Sequence, residues 1–414
     1  MTDKKSNVPK LRFPGFTDPW EQRRLGEVAS FSKGFGYSKE DVAKTGAPLF
    51  LYGRLYTAYQ CVVREVDTYA KPSPDSVFSS GNEVVTPSSG ETAEDIAVAS
   101  AVLSPGIMLG GGLNVILPDN RLDQIFLALS ISHGRQHLDL ARRAQGKSIV
   151  HLYNADLSES AIAFPSLPEQ RLIGSLFRDL DSLITLHQRE LDHLKLQKRG
   201  LLQKMFPKEG SDVPELRFPG FTDPWEQRRL EELGETYSGL SGKTRDDFGH
   251  GDAHFVPYTN VFDNPIADDS RLESVEIDVR QAEVKRGDAL FTVSSETPQE
   301  VGMSSVWLSD LPNVYLNSFC FGYRQDGSFD DLYLAYMLRS RSFRVQIEPL
   351  AQGISRFNIS KRGVMGLSVP VPTMPEQRAI GALFRDLDSL ITLHQRELDH
   401  LKLQKKALLQ QMFV

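Results

Sequence analysis

The sequence contains almost no cysteine: its 414 residues include two, Cys61 and Cys320. Two cysteines exclude a disulfide scaffold and a thiolate metal cluster. Long apolar runs are missing too, because no stretch approaches the roughly 20 apolar residues that span a bilayer. The polar start MTDKKSN lacks the apolar stretch of a secretion signal. We therefore expect a cytoplasmic protein that has no membrane partner.

Catalytic signatures are missing as well. The sequence has no Walker loop, no dinucleotide-binding glycine pattern after a strand, no His-Glu-x-x-His motif and no cluster of cysteine and histidine. It also lacks the Asn/Asp-Pro-Pro-aromatic motif of amino-methyltransferases and the nuclease pattern of Asp with Glu-x-Lys. We therefore predict no catalytic residue and no metal site, and an enzyme that acts alone is disfavoured. The formal net charge of −7 argues weakly against a nucleic-acid partner.

What the chain does contain is a duplication. The segment VPKLRFPGFTDPWEQRRLGE at 8–27 recurs at 213–232 with 18 of 20 positions identical. A longer segment, Pro168–Phe206, recurs at Pro375–Phe413 with 34 of 39 positions identical. The stretches between the repeats differ in sequence, but their lengths of 140 and 142 residues each suit one domain. A constant scaffold that carries two specialised domains explains this pattern. The predicted segments are 1–27, 28–167, 168–206, 207–232, 233–374 and 375–414.

The long repeats are predicted to be helices that pair with each other. Apolar residues follow at spacings of mostly three and four, which places them on one helix face, and about 39 residues give a helix of roughly 58 Å. Such a long helix with a narrow apolar stripe needs a partner, so we predict an antiparallel coiled coil. We interpret His187 and His394, at matching stripe positions, as register-setting polar residues; a pH switch or a ligand is the alternative. In the first repeat the stripe consists of Ile173, Leu176, Phe177, Leu180, Leu183, Ile184, Leu191, Leu194, Leu201 and Met205.

The short repeats are rich in proline and aromatic residues, as LRFPGFTDPW shows. Stiff prolines and large rings favour an extended segment that packs on a neighbouring element. A surface that binds another protein is an equally open interpretation.

The two variable domains are predicted to be rich in strands and share two weak features. In each, a strand leads into a loop of Ser, Thr and Gly, which offers hydroxyl and N–H groups to phosphates or base edges. In each, an Ala-Gln-Gly turn (144–146 and 351–353) lies in a basic neighbourhood. Residues 135–151 carry four basic side chains against one acidic, and residues 339–362 carry six against one. Such runs are often only solvated, but two at equivalent positions favour DNA.

We predict DNA contacts from these loops and turns, with the arginines on phosphates and the Ser, Asn and Gln side chains on base edges. The predicted residues are Ser88, Ser89, Gly90, Arg142, Arg143, Lys147, Ser148 and His151 in the first variable domain, and Ser294, Ser295, Thr297, Arg344, Ser355, Arg356, Asn358, Lys361 and Arg362 in the second.

The whole chain resembles the specificity subunit of type I restriction-modification systems. The resemblance rests on the helix starts LPEQR (167–171) and MPEQR (374–378), on the FRDLDSLITLHQRELDHLKLQK that follows each, on the Ala-Gln-Gly turns and on the doubled LRFPGFTDPW. It implies an α+β fold in which two pseudo-symmetric, β-rich target-recognition domains are separated by two long helices. Each domain would read one half of a bipartite site in double-stranded DNA, and the helices would set the spacer.

The resemblance also implies partners. Two methylation subunits would dock on the repeats and supply S-adenosylmethionine chemistry, and restriction subunits would bring an ATP- and Mg-dependent motor for phage defence. This chain would bind no cofactor directly, since the family's catalysis lies in the partners. The alternative is a scaffold without DNA, in which a coiled-coil spacer carries two ligand-binding domains.

Overall fold

The computed structural model describes residues 8–146, 149–208 and 210–413. The chain forms two compact units. Unit 1 comprises the chain up to Gln188 together with the segment from Arg396 onward, and unit 2 comprises Arg189–Gln395. Each unit therefore contains one variable domain and parts of both long helices.

Unit 1 is built around the first variable domain. The described strands are β1 Glu21–Arg24, β2 Ala29–Lys33, β3 Val42–Ala43, β4 Ala47–Phe50, β5 Val62–Val63, β6 Tyr69–Ala70, β7 Glu83–Pro87, β8 Ser89–Gly90, β9 Ser100–Val102, β10 Met108–Leu109, β11 Leu113–Pro118, β12 Val150–His151 and β13 Ala161–Phe164. The main sheets have the strand orders β2-β11-β7-β9-β5 and β10-β4-β6-β3, and the pairs β1–β13 and β8–β12 are separate two-stranded ribbons. The described α-helices of this domain are α1 Arg54–Thr57, α2 Ala93–Ile96, α3 Gln124–Ser132, α4 Gly134–Arg143 and α5 Asn154–Glu159.

The long helix α6, Leu167–Lys204, follows the first variable domain. Its bounds lie close to the predicted 168–206, since the chain leaves the helix just before Pro207.

Unit 2 repeats this plan around the second variable domain. The described elements are β14 Glu226–Arg229, β15 Gly234–Ser238, β16 Phe248–Val256, α7 Tyr258–Asp263, β17 Glu273–Val275, β18 Ala289–Thr292, β19 Ser294–Ser295, β20 Ser304–Val306, β21 Val314–Leu316, β22 Cys320–Gln325, α8 Asp331–Met337, α9 Arg341–Ile347, β23 Phe357–Asn358, α10 Lys361–Met365, β24 Ser368–Val371 and the second long helix, α11 Met374–Met412. The sheets have the strand orders β15-β22-β18-β20 and β17-β16-β21, and β14–β24 and β19–β23 are the two-stranded ribbons.

The long helices run antiparallel within each unit, as predicted. In unit 1, Phe177 of α6 packs against Phe413, and Asp181 pairs with Lys405 of α11 at 2.5 Å. The residue numbers rise on one helix while they fall on the other, which defines the direction. In unit 2, the equivalent pairs are Phe384 with Phe206 and Asp388 with Lys198, the ion pair again at 2.5 Å.

The predicted apolar stripe is buried for most of its length, with one difference. Ile173, Phe177 and Leu191 are almost completely buried. Leu183, however, is 44% exposed, and its repeat equivalent Leu390 is exposed to the same extent. The buried face of each long helix is therefore narrower than the apolar stripe that the residue spacing predicts, because part of that stripe stays exposed.

The predicted register histidines each face a glutamate in their own unit. In unit 1, His187 Nδ1 lies 3.4 Å from a carboxylate oxygen of Glu397. In unit 2, His394 Nδ1 lies 3.5 Å from Glu190. The register-setting role of both histidines stays a prediction, and so does its alternative, a pH switch or a ligand site.

A cluster of four aromatic rings joins the constant and variable parts of each unit. In unit 1, Trp20 of the short repeat and Phe126 of α3 lie 5.5 Å apart between ring centroids, and Phe413 packs on both and on Phe177. Unit 2 has the same arrangement with Trp225, Tyr333, Phe206 and Phe384. The short repeats are therefore packed segments, as their composition indicates. Among the described residues, no helix is both long and apolar enough to cross a membrane.

Candidate nucleic-acid interface

The two features that the sequence singled out in the second variable domain lie on one two-stranded ribbon. The strand β19, which carries Ser294 and Ser295, pairs with β23, where Ser294 lies opposite Asn358. β23 also closes a hairpin, because Gln352 and Asn358 exchange two backbone hydrogen bonds of 2.9 Å each. The serine loop and the Ala-Gln-Gly turn are therefore neighbours along one ribbon.

The turn of this hairpin requires glycine. Gly353 has φ of +141°, and a Cβ at this position would lie 2.0 Å from the carbonyl oxygen of Arg356. Such a contact cannot be accommodated without moving the backbone of the hairpin. The glycine thus fixes the shape of the tip that residues 354–356 form.

The hairpin tip, rather than the serine strand, presents the accessible side chains. Ile354 is 97% exposed, and Ser355, Arg356 and Asn358 are also exposed. The side chains of Ser294 and Ser295 are buried by contrast, and Ser295 Oγ donates to the carbonyl oxygen of Thr297 at 2.5 Å. Thr297 is exposed, and its hydroxyl donates to Glu300. The predicted contacts at 355, 356 and 358 are therefore available to a ligand, while the two serines belong to the support.

The first variable domain has the equivalent ribbon. β8 pairs with β12, so that Ser89 lies opposite His151 and Gly90 opposite Val150. Gln145 and His151 exchange backbone hydrogen bonds of 3.0 and 2.8 Å. Gly146 has φ of +140°, and a Cβ there would lie 1.9 Å from the carbonyl oxygen of Ile149. The predicted contacts Lys147 and Ser148 lie outside the described residues.

The other predicted residues of the first domain surround this ribbon. His151 is half-buried and stacks on Tyr153 with 6.0 Å between ring centroids. Ser88 is half-buried, and its carbonyl oxygen accepts from Leu152 N–H. At the end of α4, Arg142 is exposed, whereas Arg143 pairs with Asp139 one turn earlier at 2.9 Å.

The basic cluster of the second domain divides into internal and surface residues. The Arg344 guanidinium donates to the carbonyl oxygens of Gln299, Val301 and Gly302. Burial lowers the pKa of Arg344, with the Glu348 charge acting in the opposite direction. Arg344 therefore holds a loop together, although the charge count marked it as a phosphate contact.

The remaining basic residues of this cluster are nearer the surface. Lys361 is half-buried and donates from Nζ to the hydroxyl of Ser238 at 2.6 Å. Arg356 and Arg362 are exposed. These two guanidinium groups are the best placed of the predicted set for phosphate oxygens.

Sequence reasoning missed one residue in each domain that touches the ribbon. The Tyr56 hydroxyl donates to the carbonyl oxygen of Ser89 at 2.9 Å, and the Tyr258 hydroxyl donates to that of Ser294 at 2.6 Å. Burial raises the pKa of Tyr56 to about 12 and also raises that of Tyr258, so both remain protonated donors. The signal in the sequence is small: a shared Tyr-Thr dipeptide at 56–57 and 258–259.

The Pro-Glu-Gln helix starts attach the constant helices to the rest of their units. In unit 2, Glu376 accepts two hydrogen bonds from Arg217 of the short repeat and one from Trp225 Nε1. Gln377 accepts from the backbone N–H of Asp330 and donates to the carbonyl oxygens of Ser328 and Pro372. The motif is thus a structural joint between three parts of the unit.

Unit 1 repeats the arginine and glutamine bonds of this joint. Arg12 binds Glu169 through two hydrogen bonds, and Gln170 accepts from Asp123 N–H and donates to the carbonyl oxygens of Arg121 and Pro165. Asp123 in turn caps α3, where its side chain accepts from the N–H groups of residues 125 and 126.

Known proteins resemble the chain over nearly its full length. A model of the family described as the type I restriction modification DNA specificity domain matches residues 17–196. The type I restriction enzyme MjaVIII specificity subunit of Methanocaldococcus jannaschii is 21% identical, with 98% of this chain and 95% of that protein covered. The putative MjaX specificity subunit of the same organism is 22% identical, with the same coverage.

Solved structures share the fold. The crystal structure of the type I restriction-modification S subunit from M. genitalium superimposes with a TM-score of 0.55 at 15% identity, covering 98% of this chain and 99% of that one. A chain from a structure of the assembly and conformational transition of the type I system gives 0.52 at 18% identity, with 97% and 98% covered.

The chain is thus similar over nearly its whole length to type I restriction-modification specificity subunits, and residues 17–196 match the model of the DNA specificity domain.

Proposed function

We propose that each variable domain reads one half of a bipartite site in double-stranded DNA, and that the long helices set the unread spacer between the halves. The observation that carries this proposal is the ribbon that recurs in both domains although their sequences differ. Each ribbon ends in a glycine-shaped hairpin whose turn lies in a basic segment. Base edges in a groove are read by such projecting side chains, while nearby arginines hold phosphates.

The two hairpin tips carry different side chains on equivalent backbone positions. The second tip exposes Ile354, Ser355 and Arg356, whereas position 149 of the first tip, equivalent to Arg356, is an exposed isoleucine. Different side chains on one backbone frame are what two different half-sites require. The predicted contacts Ser88, Ser89, Gly90 and His151 lie on or beside the first ribbon and belong to the same proposal.

The same proposal includes partners that carry the chemistry. Two methylation subunits would dock on the repeated helices and supply S-adenosylmethionine-dependent methylation, and restriction subunits would supply an ATP- and Mg-driven motor. Each unit exposes leucines at repeat-equivalent places, which supports two copies of one partner. These are Leu183, Leu186 and Leu403 in unit 1, and Leu390, Leu393 and Leu196 in unit 2. The reducing cytoplasm, where the DNA is, would be the site of action.

The test is an exchange of residues 233–374 for the equivalent domain of a specificity subunit that reads a different half-site. The exchanged chain is assembled with its methylation subunits, and the methylated motif is mapped by single-molecule sequencing. We expect one half of the motif to change while the other half and the spacer stay the same. Insertion of one helical turn into both α6 and α11 serves as the reciprocal control, because it should change the spacer alone. A domain exchange that alters both halves contradicts the modular reading.

A further inference from the structure

Each variable domain fastens its ribbon with one tyrosine. Tyr258 lies at the first position of α7, and its hydroxyl donates to the carbonyl oxygen of Ser294. Tyr56 lies within α1 and donates in the same way to Ser89. Ser89 and Ser294 occupy the same place in their ribbons, opposite His151 and Asn358.

This likeness does not come from the near-identical repeats. Both tyrosines and both serines belong to the divergent domains, whose sequences have little in common. Two domains that share so few side chains nevertheless attach a helix to the same carbonyl group of the ribbon. Because this tyrosine–carbonyl bond occurs in both variable domains, we infer that both ribbons need it to hold their position.

The contact bears directly on the hairpin tip. Ser294 lies opposite Asn358, and Asn358 closes the hairpin with Gln352, so a shift of β19 is passed to residues 354–356 over one strand pair. β19 and β23 have two residues each, and a ribbon this short has few ladder bonds of its own to hold its position. The phenol group supplies an additional fixed point, since its ring packs on the helix side against Phe262 at 5.8 Å between centroids.

We propose that Tyr56 and Tyr258 are positioning residues for sequence readout, each fixing the ribbon that presents the contacts for its own half-site. The inference rests on the proposed function, because it assigns the ribbons to DNA. Readout through hydrogen bonds depends on geometry to within a few tenths of an ångström. A ribbon that is free to shift loses discrimination between bases before it loses attraction to phosphates, which is long-range.

The experiment uses Tyr258→Phe and Tyr56→Phe in the full chain, assembled with its methylation subunits. Binding is measured to the motif and to a panel of duplexes in which each recognised base pair is changed singly. We expect Tyr258→Phe to reduce discrimination about 2- to 10-fold, the worth of one hydrogen bond, at the half-site of the second domain and not at the other. Tyr56→Phe should show the converse.

Two further tyrosines provide matched controls. Tyr323 donates to the carbonyl oxygen of Leu230 at 3.0 Å, and Tyr59 donates to that of Ala99 at 3.2 Å. Tyr323→Phe removes one such bond and Tyr59→Phe removes two, because the Tyr59 hydroxyl also donates to Ser132 Oγ at 3.3 Å. None of these acceptors belongs to a ribbon. We expect both controls to leave the discrimination ratios unchanged, whatever they do to the thermal midpoint of unfolding.

A second readout keeps the test decisive if binding is weak. Hydrogen exchange at the amide of Asn358 should become faster in Tyr258→Phe and stay unchanged in Tyr323→Phe. Unchanged discrimination, or an equal loss of affinity for every duplex in the panel, overturns the positioning role. A wild-type complex that shows no sequence preference in either half overturns the proposed function instead, so that the two failures are distinguished.

Discussion

Arg12 donates two parallel hydrogen bonds to Glu169, from Nε to Oε1 at 2.8 Å and from Nη2 to Oε2 at 2.7 Å. The pair joins the short repeat to the first turn of α6, and the carboxylate is almost completely buried. Arg217 and Glu376 make the same pair in unit 2, at 2.7 and 2.8 Å. Two-pronged geometry of this kind restricts both partners to one arrangement. The near-identity of the repeats is thus accounted for at these positions by a shared joint.

Replacement of Arg12 by alanine should destabilise unit 1 strongly. The change leaves the buried Glu169 carboxylate without its counter-charge, which costs about 3–5 kcal/mol of unfolding free energy. The control is Arg24→Ala, because Arg24 pairs with Glu159 at 3.0 Å on the surface and exposed pairs contribute about 1 kcal/mol or less. Urea unfolding of both variants measures the difference. Equal stability of the two variants would show that the buried pair is not a structural joint.

The arginines of the second domain should separate into a DNA contact and a structural residue. Arg356→Ala should weaken DNA binding and make the slope of log K against log salt shallower by about 1, as expected for one lost phosphate contact. Arg344→Ala should instead lower the unfolding midpoint, because three carbonyl groups lose their donor.

Titration of the assembled complex with DNA at several salt concentrations checks both outcomes. Arg280→Ala is the control for an exposed arginine elsewhere in unit 2, where Arg280 pairs with Asp278. A salt slope that is unchanged in Arg356→Ala rules out this residue as a phosphate contact.

The exposed leucines of the long helices should govern how many methylation subunits bind. Leu186 and Leu393 are 51% and 50% exposed, and they are repeat equivalents in different units. A glutamate at either position should reduce the assembly from two partner copies to one, and glutamates at both should leave none, because a buried charge without a partner is costly. Native mass spectrometry counts the copies. Leu117→Glu changes a leucine of similar exposure in the first variable domain and should keep both copies; loss of both copies from a single helix variant would contradict independent docking.

The sequence was most informative where one element determines its own pattern. The spacing of apolar residues predicts α6 and α11 to within a few residues, because a helix face is encoded locally. The duplication also favours the antiparallel direction, since this pairing gives the two copies equivalent surroundings. The turn glycines Gly146 and Gly353 mark the hairpins for the same local reason.

Contacts between segments that lie far apart in the chain could not be predicted from the sequence. Arg12 and Glu169 are 157 positions apart, and no periodicity relates them. A local count of charge cannot tell whether an arginine faces solvent, as Arg356 does, or binds carbonyl groups, as Arg344 does. The tyrosine hydroxyls were missed because their partners are backbone atoms, and a carbonyl group leaves no mark in the sequence.

The glutamine of each helix start reaches into its variable domain and bonds there to main-chain atoms. For Gln170 these are the N–H of Asp123 and the carbonyl oxygen of Arg121; for Gln377 they are the N–H of Asp330 and the carbonyl oxygen of Ser328. Every amino acid except proline offers the same N–H and C=O groups. The glutamine can therefore make these bonds to any variable domain that keeps the same main-chain conformation at these positions, whatever its side chains. The side chains of a variable domain can therefore change while its attachment to the long helix stays the same.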